Sequence, residues 1–393
     1  MIRNLHVQNF KSFKDISLNL GQRNVLVGPN MSGKSNLLDV FRFLSRMVVP
    51  PVGVYGLPNA VQSLHGFQEL VWKGGDSSVV QIAIDGDTSP PFAYEIPATW
   101  SYKISIRGDP RGWINVLDES LVVSGPTGES SLIESTGGRR QLKNSDGRTV
   151  SEAGGPERSA LEYEIPDWEG DALRQFFASF RFYNLVSPLL RTVNQTVAAS
   201  FLSERGENLA SWLLTLQTKH SRVFDRIARI ARDVLPDLES LFTAPTQQGT
   251  VFVASRERFL KRPISDFQMS DGELVFIALL SLIYSPSELR SPLICVEEPE
   301  NHLHLRLLEA VVELLKQVQE ELPPGERAQV LVTTHSPHLI DLVSLDELIV
   351  FEKREGATTA TRPGNKEHLR RLLEEEETGL GSLYYSGALG GDS

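Results

Sequence analysis

Residues 25–35 combine residue types and spacings that could bind phosphate, reading Val-Leu-Val-Gly-Pro-Asn-Met-Ser-Gly-Lys-Ser. The phosphate-binding loop pattern G-x-x-x-x-G-K-[ST] is matched by Gly28, Gly33, Lys34 and Ser35. In such a loop backbone N–H groups surround the phosphates, the lysine reaches the β and γ oxygens, and the hydroxyl holds Mg²⁺. The segment therefore predicts a nucleotide site, and its predicted binding residues are Asn30, Gly33, Lys34, Ser35 and Asn36.

The elements around this loop are the ones that its chemistry needs. Arg23–Val27 is a short apolar, β-branched run typical of a buried strand. Residues 36–44 have Leu37, Phe41 and Leu44 at helical spacing. Strand, glycine-rich turn and helix then follow in the order that points free helical N–H groups at a phosphate. A glycine-rich turn between two core elements, without a ligand, is the alternative interpretation.

A second candidate block, residues 291–300, is an apolar strand that ends in carboxylates. In P-loop ATPases a carboxylate at the end of such a strand orients Mg²⁺, and the next one polarises the attacking water. We therefore assign Glu297 to the metal and Glu298 to the water. An acidic surface turn is the alternative, but such a turn does not normally follow a run this apolar.

Residues 269–280 predict the start of an apolar helix. Ser270 can cap this helix, and Glu273 three positions later completes a capping box. The same geometry leaves a helix N-terminus open at Ser270 and Gly272, which could receive a γ-phosphate carried by a second subunit.

The C-terminal part contains a strand that ends in a histidine. Residues 301–319 are predicted as a helix, and Gln329–Thr334 as a strand that delivers His335 to its C-terminal end. Ligands bind at that edge of open α/β sheets, so His335 is predicted to hydrogen-bond the γ-phosphate; an ordinary satisfied histidine is the alternative. A zinc site is a further alternative, although the spacings match no recognised ligand set. Its ligands would be His302, His304, His335 and His338.

The composition of the 393-residue chain, with 40% hydrophobic and 23% charged residues, is ordinary for a soluble globular protein. The single cysteine, Cys295, excludes an internal disulfide. No apolar run is long enough to span a bilayer, and the N-terminus lacks the apolar core of a signal peptide. We therefore expect a cytoplasmic protein without a membrane partner.

The net charge of −11 argues against a surface that binds DNA everywhere, since such binding depends on neutralising phosphates with Lys and Arg. A local basic patch is still compatible with that charge. Residues 256–262 are either such a contact for nucleic acid or a solvated face. The cations of this segment are Arg256, Arg258, Lys261 and Arg262.

The remaining chain alternates between β and helical patterns. Residues 2–20 read as two strands joined by a turn, and residues 79–144 as an antiparallel β region. Residues 145–158 are polar and glycine-rich, which predicts an exposed loop. Residues 171–238 have helical periodicity, and residues 249–255 return to β. The predicted domains are an N-terminal lobe, a helical insertion and a C-terminal lobe, over residues 1–170, 171–245 and 246–393.

These blocks resemble the ABC-type ATPase heads of the RecF/SMC/overcoming-lysogenisation-defect group, in particular the stand-alone bacterial predicted ATPases of AAA type. The resemblance covers nearly the whole chain, and it implies an α/β P-loop fold of the ABC-ATPase head type with an antiparallel β region and a helical insertion. The motifs that carry it are Asn9-Phe-Lys-Ser-Phe, the Walker A loop 28–35, the signature Ser270-Asp-Gly-Glu, the Walker B block 296–304 and the switch Thr333-Thr-His-Ser-Pro. Residues 181–185, 206–213 and 386–391 also match, without a defined role.

The resemblance implies a head-to-tail homodimer that encloses two ATP molecules, each bound by the Walker A loop of one subunit and the signature of the other. Ser270 and Gly272 would then act in trans. Glu298 and His335 would be the catalytic residues, with His335 as the switch histidine. Residues 300–304 would contact the opposite subunit as the D-loop.

This sequence departs from the pattern of the group at several positions. Glu297 stands where most P-loop ATPases have Asp, which is expected to alter metal geometry and slow turnover, and Leu305 replaces a common proline. The Q-loop glutamine is assigned to Gln68 in preference to Gln62. The metal residues predicted by the resemblance are Ser35, Glu297 and Gln68. We expect no nuclease domain to follow, in which case any nuclease would be a partner protein.

We therefore expect an ATPase that uses ATP and Mg²⁺, dimerises on ATP, and couples this cycle to DNA maintenance or anti-phage defence. The alternative is a nucleotide-gated regulatory scaffold that holds a partner nuclease or toxin and hydrolyses ATP slowly. A transporter motor fits less well, because the β region and the Ser-Asp-Gly-Glu signature do not resemble transporter cassettes.

Overall fold

The computed structural model describes residues 1–88, 98–109, 111–125, 128–136, 139–363 and 379–385. The matching passage 386–391 therefore lies outside the described residues. The strands, in chain order, are β1 (Ile2–Phe10), β2 (Phe13–Asn19), β3 (Arg23–Val27), β4 (Val79–Thr88), β5 (Ala98–Gly108), β6 (Ile114–Gly125), β7 (Gly128–Thr136), β8 (Arg139–Lys143), β9 (Thr149–Ala153), β10 (Arg181–Tyr183), β11 (Asn194–Gln195), β12 (Leu238–Pro245), β13 (Thr250–Glu257), β14 (Ile264–Ser265), β15 (Leu293–Glu297), β16 (Gln329–Thr334), β17 (Leu348–Arg354) and β18 (Ala357–Thr361).

The α-helices lie between these strands or follow them. They are α1 (Lys34–Val48), α2 (Gly56–Ser63), α3 (Phe67–Leu70), α4 (Asp171–Ala178), α5 (Ser187–Leu190), α6 (Leu209–Lys219), α7 (Ser221–Val234), α8 (Asp271–Ile283), α9 (Leu305–Glu321), α10 (Pro337–Asp341) and α11 (Leu380–Tyr385). None of the described helices has the combination of length and apolar composition that a membrane span requires.

A mixed sheet in the order β10-β15-β16-β3-β17-β18 forms the centre of the molecule, and only its last pair is antiparallel. Successive residues of β3 pack on opposite faces: Leu26 joins the core shared with α1, while Val25 and Val27 join the core shared with α9 and α10. Burial on both faces explains why these strands read as continuous apolar runs.

The register of this sheet aligns the carboxyl ends of three strands. Thr333 of β16 lies opposite both Glu297 of β15 and Leu26 of β3, and Thr334 lies opposite Val27. The segments that leave these strands therefore emerge at one edge, which is where open α/β sheets bind ligands.

An antiparallel sheet in the order β2-β1-β4-β5-β6-β7-β8-β9 covers α1. It confirms the predicted pair of N-terminal strands and the β region over residues 79–144. The prediction of a loop over residues 145–158 is wrong in part, because β9 pairs there with β8. The strand pattern is weak since Val150 is its only large apolar residue, but a turn with Gly147 at φ +79° and an Asn144–Arg148 backbone bond closes the hairpin.

The helical region confirms the periodicity found from residue 171 onward, with α4 to α7 inside it. It also contains β10, an edge strand parallel to β15, which gives the passage 181–185 a structural role. A small sheet, β11-β13-β12 with β14 paired to β13, adjoins α6. Trp212 of α6 is buried and donates a hydrogen bond to Ser281 Oγ of α8 at 3.0 Å, so α6 and α8 share one core.

Two predicted helix starts need correction. α1 begins at Lys34 rather than at residue 36, and α9 begins at Leu305 rather than at residue 301. Glu298 and His302 have φ values of +45° and +69°, which a continuing α-helix does not allow. His304 then caps α9 by accepting a hydrogen bond from Arg306 N at 3.4 Å.

Candidate nucleotide-binding site

The loop between β3 and α1 is held so close to β17 and β18 that two positions accept only glycine. A Cβ on Gly28 would lie 2.3 Å from the carbonyl oxygen of Phe351, and one on Gly33 would lie 2.5 Å from Thr358 Oγ1. Gly33 also has φ +110°, in the region that side chains avoid. The loop can therefore pack this closely on β17 and β18 only because these positions lack side chains.

The ammonium group of Lys34 lies under this loop. Its Nζ donates hydrogen bonds to the carbonyl oxygens of Gly28 at 2.7 Å and Pro29 at 3.0 Å. Burial lowers the pKa of Lys34 to about 8, although the carboxylates of Glu298 and Glu300 oppose the shift. A cation that has lost its water and is bonded only to carbonyls gains from a nearby anion.

A hydroxyl of the loop is also left free. Ser32 is buried, and its Oγ has no hydrogen-bond partner in the described structure. The backbone carbonyl of Ser32, by contrast, accepts from Thr358 Oγ1 at 2.7 Å. An unpartnered buried hydroxyl beside Lys34 fits a ligand that accepts hydrogen bonds, as a phosphate does.

The motif Asn9-Phe-Lys-Ser-Phe has a structural role, because it contacts β4 and the helix α1 that follows the loop. Asn9 Nδ2 donates to the carbonyl of Val79 at 2.7 Å. Lys11 pairs with Asp39 of α1, and Ser12 Oγ accepts from Asn36 Nδ2 at 2.6 Å. The amide of Asn36 is thus engaged within the protein, and its contact with a nucleotide stays a prediction.

The residues predicted to hold a metal are brought together in part. Ser35 Oγ lies 3.4 Å from Glu297 Oε2, so a hydroxyl and a carboxylate oxygen face one point, and both are donors that Mg²⁺ prefers. Gln68 lies exposed on α3 and forms no hydrogen bond to Ser35 or Glu297 in the described structure. Its assignment to the metal stays a prediction without geometric support.

The predicted zinc ligands occupy separate settings. His335 lies beside Glu298, His302 Nδ1 lies 3.8 Å from Asp271, and His304 caps α9. Among the described residues, no group of three His, Cys, Asp or Glu side chains could hold a metal ion.

Glu298 and His335 lie together at the ends of β15 and β16. Glu298 Oε1 is 3.5 Å from His335 Nε2, and Glu298 Oε2 accepts from Asn301 Nδ2 at 3.0 Å. Burial and the charge of Lys34 lower the pKa of His335, so its imidazole is neutral at neutral pH. The pair can therefore offer a carboxylate base and a neutral hydrogen-bonding ring to one ligand.

Glu300, which the resemblance places only in a contact with the opposite subunit, also lies beside His335 at the candidate site. Its Oε1 accepts from Thr334 Oγ1 at 2.6 Å and from His335 N at 3.0 Å, which ties the segment after β15 to the segment after β16. Its Oε2 is buried without a partner. The third carboxylate of the Glu-Glu-Pro-Glu block was the available signal.

The capping box at α8 is confirmed. Ser270 N donates to Glu273 Oε2 at 2.7 Å, and Glu273 N donates to Ser270 Oγ at 3.2 Å. A Cβ on Gly272 would lie 2.9 Å from the carbonyl oxygen of His302, so α8 packs closely on the segment after β15. No hydrogen bond joins Ser270 or Gly272 to the Lys34 loop in the described part of the chain. Their predicted contact with ATP would need a second subunit.

The observed set of side chains fits a triphosphate with a hard divalent cation. The loop region supplies the buried ammonium of Lys34 and the unpartnered hydroxyl of Ser32. Oxygen donors from Ser35 and Glu297 lie beside the loop. Lys34 and the loop N–H groups would hold phosphate, and the two oxygen donors would hold Mg²⁺.

Known proteins resemble this chain in sequence family and in fold. The profile of a family described as "AAA domain, putative AbiEii toxin, Type IV TA system" matches residues 23–341. The comparison with curated proteins gives no significant match.

Solved structures with a similar fold include heads of SMC proteins. One is an SMC head bound to the C-winged helix domain of ScpA, with a TM-score of 0.55 and 15% identity over 92% of this chain and 97% of that chain. Another is an SMC head with an extended coiled coil, bound to the C-terminal domain of ScpA derived from Pyrococcus furiosus. Its TM-score is 0.53, with 14% identity over 96% of this chain and 99% of that chain. At such identities the likeness establishes the fold alone, which is that of the SMC heads.

Proposed function

The chain belongs to the AAA domain family whose description names a putative AbiEii toxin of a type IV TA system, and from this premise we propose that it binds and hydrolyses ATP with Mg²⁺ and dimerises on ATP. The observation that supports the proposal is the alignment of the carboxyl ends of β15, β16 and β3, which are followed by Glu298, His335 and the Lys34 loop, with Glu298 Oε1 3.5 Å from His335 Nε2.

Each side chain has a distinct task in this reaction. Lys34 binds the β and γ phosphates, and Ser35 and Glu297 hold Mg²⁺, which neutralises phosphate charge when bound. Glu298 orients the attacking water and takes its proton, while the neutral ring of His335 donates a hydrogen bond to the γ-phosphate. Ser270 and Gly272 of a second subunit close the site with a helix N-terminus.

The test compares the wild type with Lys34→Ala and Glu298→Gln. Both variants should lose hydrolysis, but Glu298→Gln should still bind ATP and elute as a dimer, because only water activation is removed. Glu313→Gln, an exposed carboxylate on α9, is the matched control and should hydrolyse ATP like the wild type. Wild-type hydrolysis by both site variants would refute the assignment, and an elution volume unchanged by ATP would refute the dimer.

We further propose that the cycle is coupled to DNA maintenance or defence through residues 256–262. Arg256, Arg258, Lys261 and Arg262 are all exposed, and none forms an ion pair within the described structure. Phe259 between them is 85% exposed. Unpaired cations around an exposed aromatic ring suit a nucleic acid, which offers phosphates and base faces.

The DNA proposal is tested by affinity for DNA as a function of salt, with and without ATP. Arg258→Gln/Lys261→Gln should weaken binding and flatten the salt dependence, since log K falls with log[salt] in proportion to the phosphates neutralised. Lys103→Gln/Arg107→Gln on β5 removes the same charge elsewhere and should bind as the wild type does. Equal losses in both variants would show a general charge effect.

The alternative is a nucleotide-gated scaffold that holds a nuclease or toxin. The family description, which names a toxin of a type IV TA system, supports it. A protein that co-purifies with Glu298→Gln and is released by nucleotide would favour this alternative over a DNA-coupled ATPase.

A further inference from the structure

Arg42 is a nearly buried cation that meets three carboxylates from three parts of the chain. Its guanidinium donates to Asp39 Oδ1 at 3.1 Å within α1, to Glu204 Oε1 at 2.6 Å, and to Glu297 Oε1 at 2.7 Å. Glu204 belongs to the segment between α5 and α6, and Glu297 ends β15. The ring of Phe182 covers the guanidinium, with its centroid 5.0 Å away.

The two carboxylate oxygens of Glu297 contact different side chains. Oε1 is held by Arg42, while Oε2 lies 3.4 Å from Ser35 Oγ. Ser35 and Arg42 are seven residues apart on α1, and therefore on one face of the helix. Glutamate has one more rotatable bond than aspartate, so without such a tether its carboxylate would sample more positions.

Arg42 stays protonated in this environment. Burial alone would lower the pKa of Arg42, but the hydrogen bond to Glu297 and the charges of Glu204, Glu297 and Asp39 together raise it above the usual value. A planar guanidinium can serve three carboxylates at once, which the single ammonium of a lysine cannot do with the same geometry.

We propose that Arg42 is a positioning residue that fixes the carboxylate of Glu297 so that one oxygen faces Ser35 and the Mg²⁺ that accompanies ATP. This role rests on the proposed function, because it concerns the metal that the proposed reaction uses. It also accounts for how a glutamate can occupy a position where aspartate is usual in P-loop ATPases. Without the guanidinium of Arg42, its three carboxylate partners would surround an unfilled space. A metal ion bound by these carboxylates would lie away from Ser35.

The quantity to measure is the ratio of ATP dissociation constants without and with Mg²⁺. It is determined in the Glu298→Gln background, so that hydrolysis does not contribute. Outer partners of metal ligands typically contribute about 10- to 100-fold to metal affinity. In Arg42→Gln and in Arg42→Lys we expect this ratio to be about 10- to 100-fold lower than in the parent protein. The affinity for ATP without Mg²⁺ should change little.

Two variants serve as matched controls. Arg46→Gln removes a cation one turn further along α1 that lies 3.9 Å from Glu204 and forms no ion pair with Glu297 in the described structure. Glu204→Gln removes one partner of Arg42 but leaves the contact with Glu297. Both should keep the wild-type ratio, whereas a merely structural network would respond to each of the changes. Thermal unfolding without nucleotide shows whether each variant folds. If Arg42→Gln does not fold, Arg42→Lys is compared with the two controls instead.

A wild-type ratio in Arg42→Lys and Arg42→Gln would overturn the role of Arg42 and leave the ATPase proposal intact. A ratio lowered as much by Glu204→Gln as by Arg42→Gln would also overturn it. If the parent protein binds no ATP with or without Mg²⁺, the proposed function fails, and the role of Arg42 falls with it.

Discussion

Lys34 should take up a proton when the protein binds ATP. Burial holds the pKa of its ammonium group at about 8 in the free protein, against an ordinary value of 10.5. Phosphate charges beside the group favour the ammonium form, so bound ATP should return the pKa toward 10.5 or above. ATP binding is therefore coupled to protonation of Lys34 at pH values between about 8 and 10.5.

The size of the effect follows from the pKa. A group with a pKa of about 8 is roughly half deprotonated at pH 8 and about one-tenth deprotonated at pH 7. Because the bound form is fully protonated at both, ATP binding should take up about 0.5 proton at pH 8 and about 0.1 at pH 7. The uptake should approach about 0.9 at pH 9, and ATP affinity should weaken as pH rises through 8.

Calorimetry in buffers of different ionisation enthalpy measures this uptake as the slope of the observed binding enthalpy. The Glu298→Gln protein prevents hydrolysis during the titration. Lys34→Arg is the control, since a guanidinium stays charged at each pH and should show no uptake at pH 8. A slope that does not increase from pH 7 to pH 8, or an equal slope for Lys34→Arg, would refute the reasoning.

Further predictions concern stability and the shape of the loop. Glu119 is fully buried in the antiparallel sheet and accepts from Arg140 at 2.8 Å, so Glu119→Ala should lower the free energy of unfolding by about 3–5 kcal/mol, because it leaves a buried cation unpaired. Glu134→Ala breaks a partly exposed pair with Lys143 and should cost about 0–1 kcal/mol; denaturant titration compares the two, and similar losses would contradict the argument. Gly33→Ala should abolish ATP binding while the protein stays folded, since its Cβ would displace Thr358; binding at wild-type affinity would show that the loop can shift.

Local chemistry made much of the site predictable from the sequence. The phosphate-loop pattern and the cap at Ser270 are short-range patterns, so Lys34, Ser35 and Glu297 could be proposed as site residues from the sequence alone. The central strands were recognisable because burial on both faces requires unbroken apolar runs.

Long-range contacts explain what the sequence did not reveal. Arg42 reads as an ordinary cation of an amphipathic helix, and its partner Glu204 lies 162 positions further along the chain. β9 has too few apolar residues for its pattern to stand out and depends on pairing with β8. The start of α9 depends on positive φ values at Glu298 and His302, which no propensity for these residue types predicts.

The position of β3 has a consequence for synthesis of the protein on the ribosome. β3 starts at Arg23, but both its neighbours in the sheet, β16 and β17, begin at Gln329 or later. With translation at about 5–20 residues per second, the strand that carries the phosphate loop waits roughly 15–60 s for its first partner. Through that interval β3 has no neighbouring strand to pair with, so the nucleotide pocket forms late, and ATP can bind only after β16 and β17 have been synthesised.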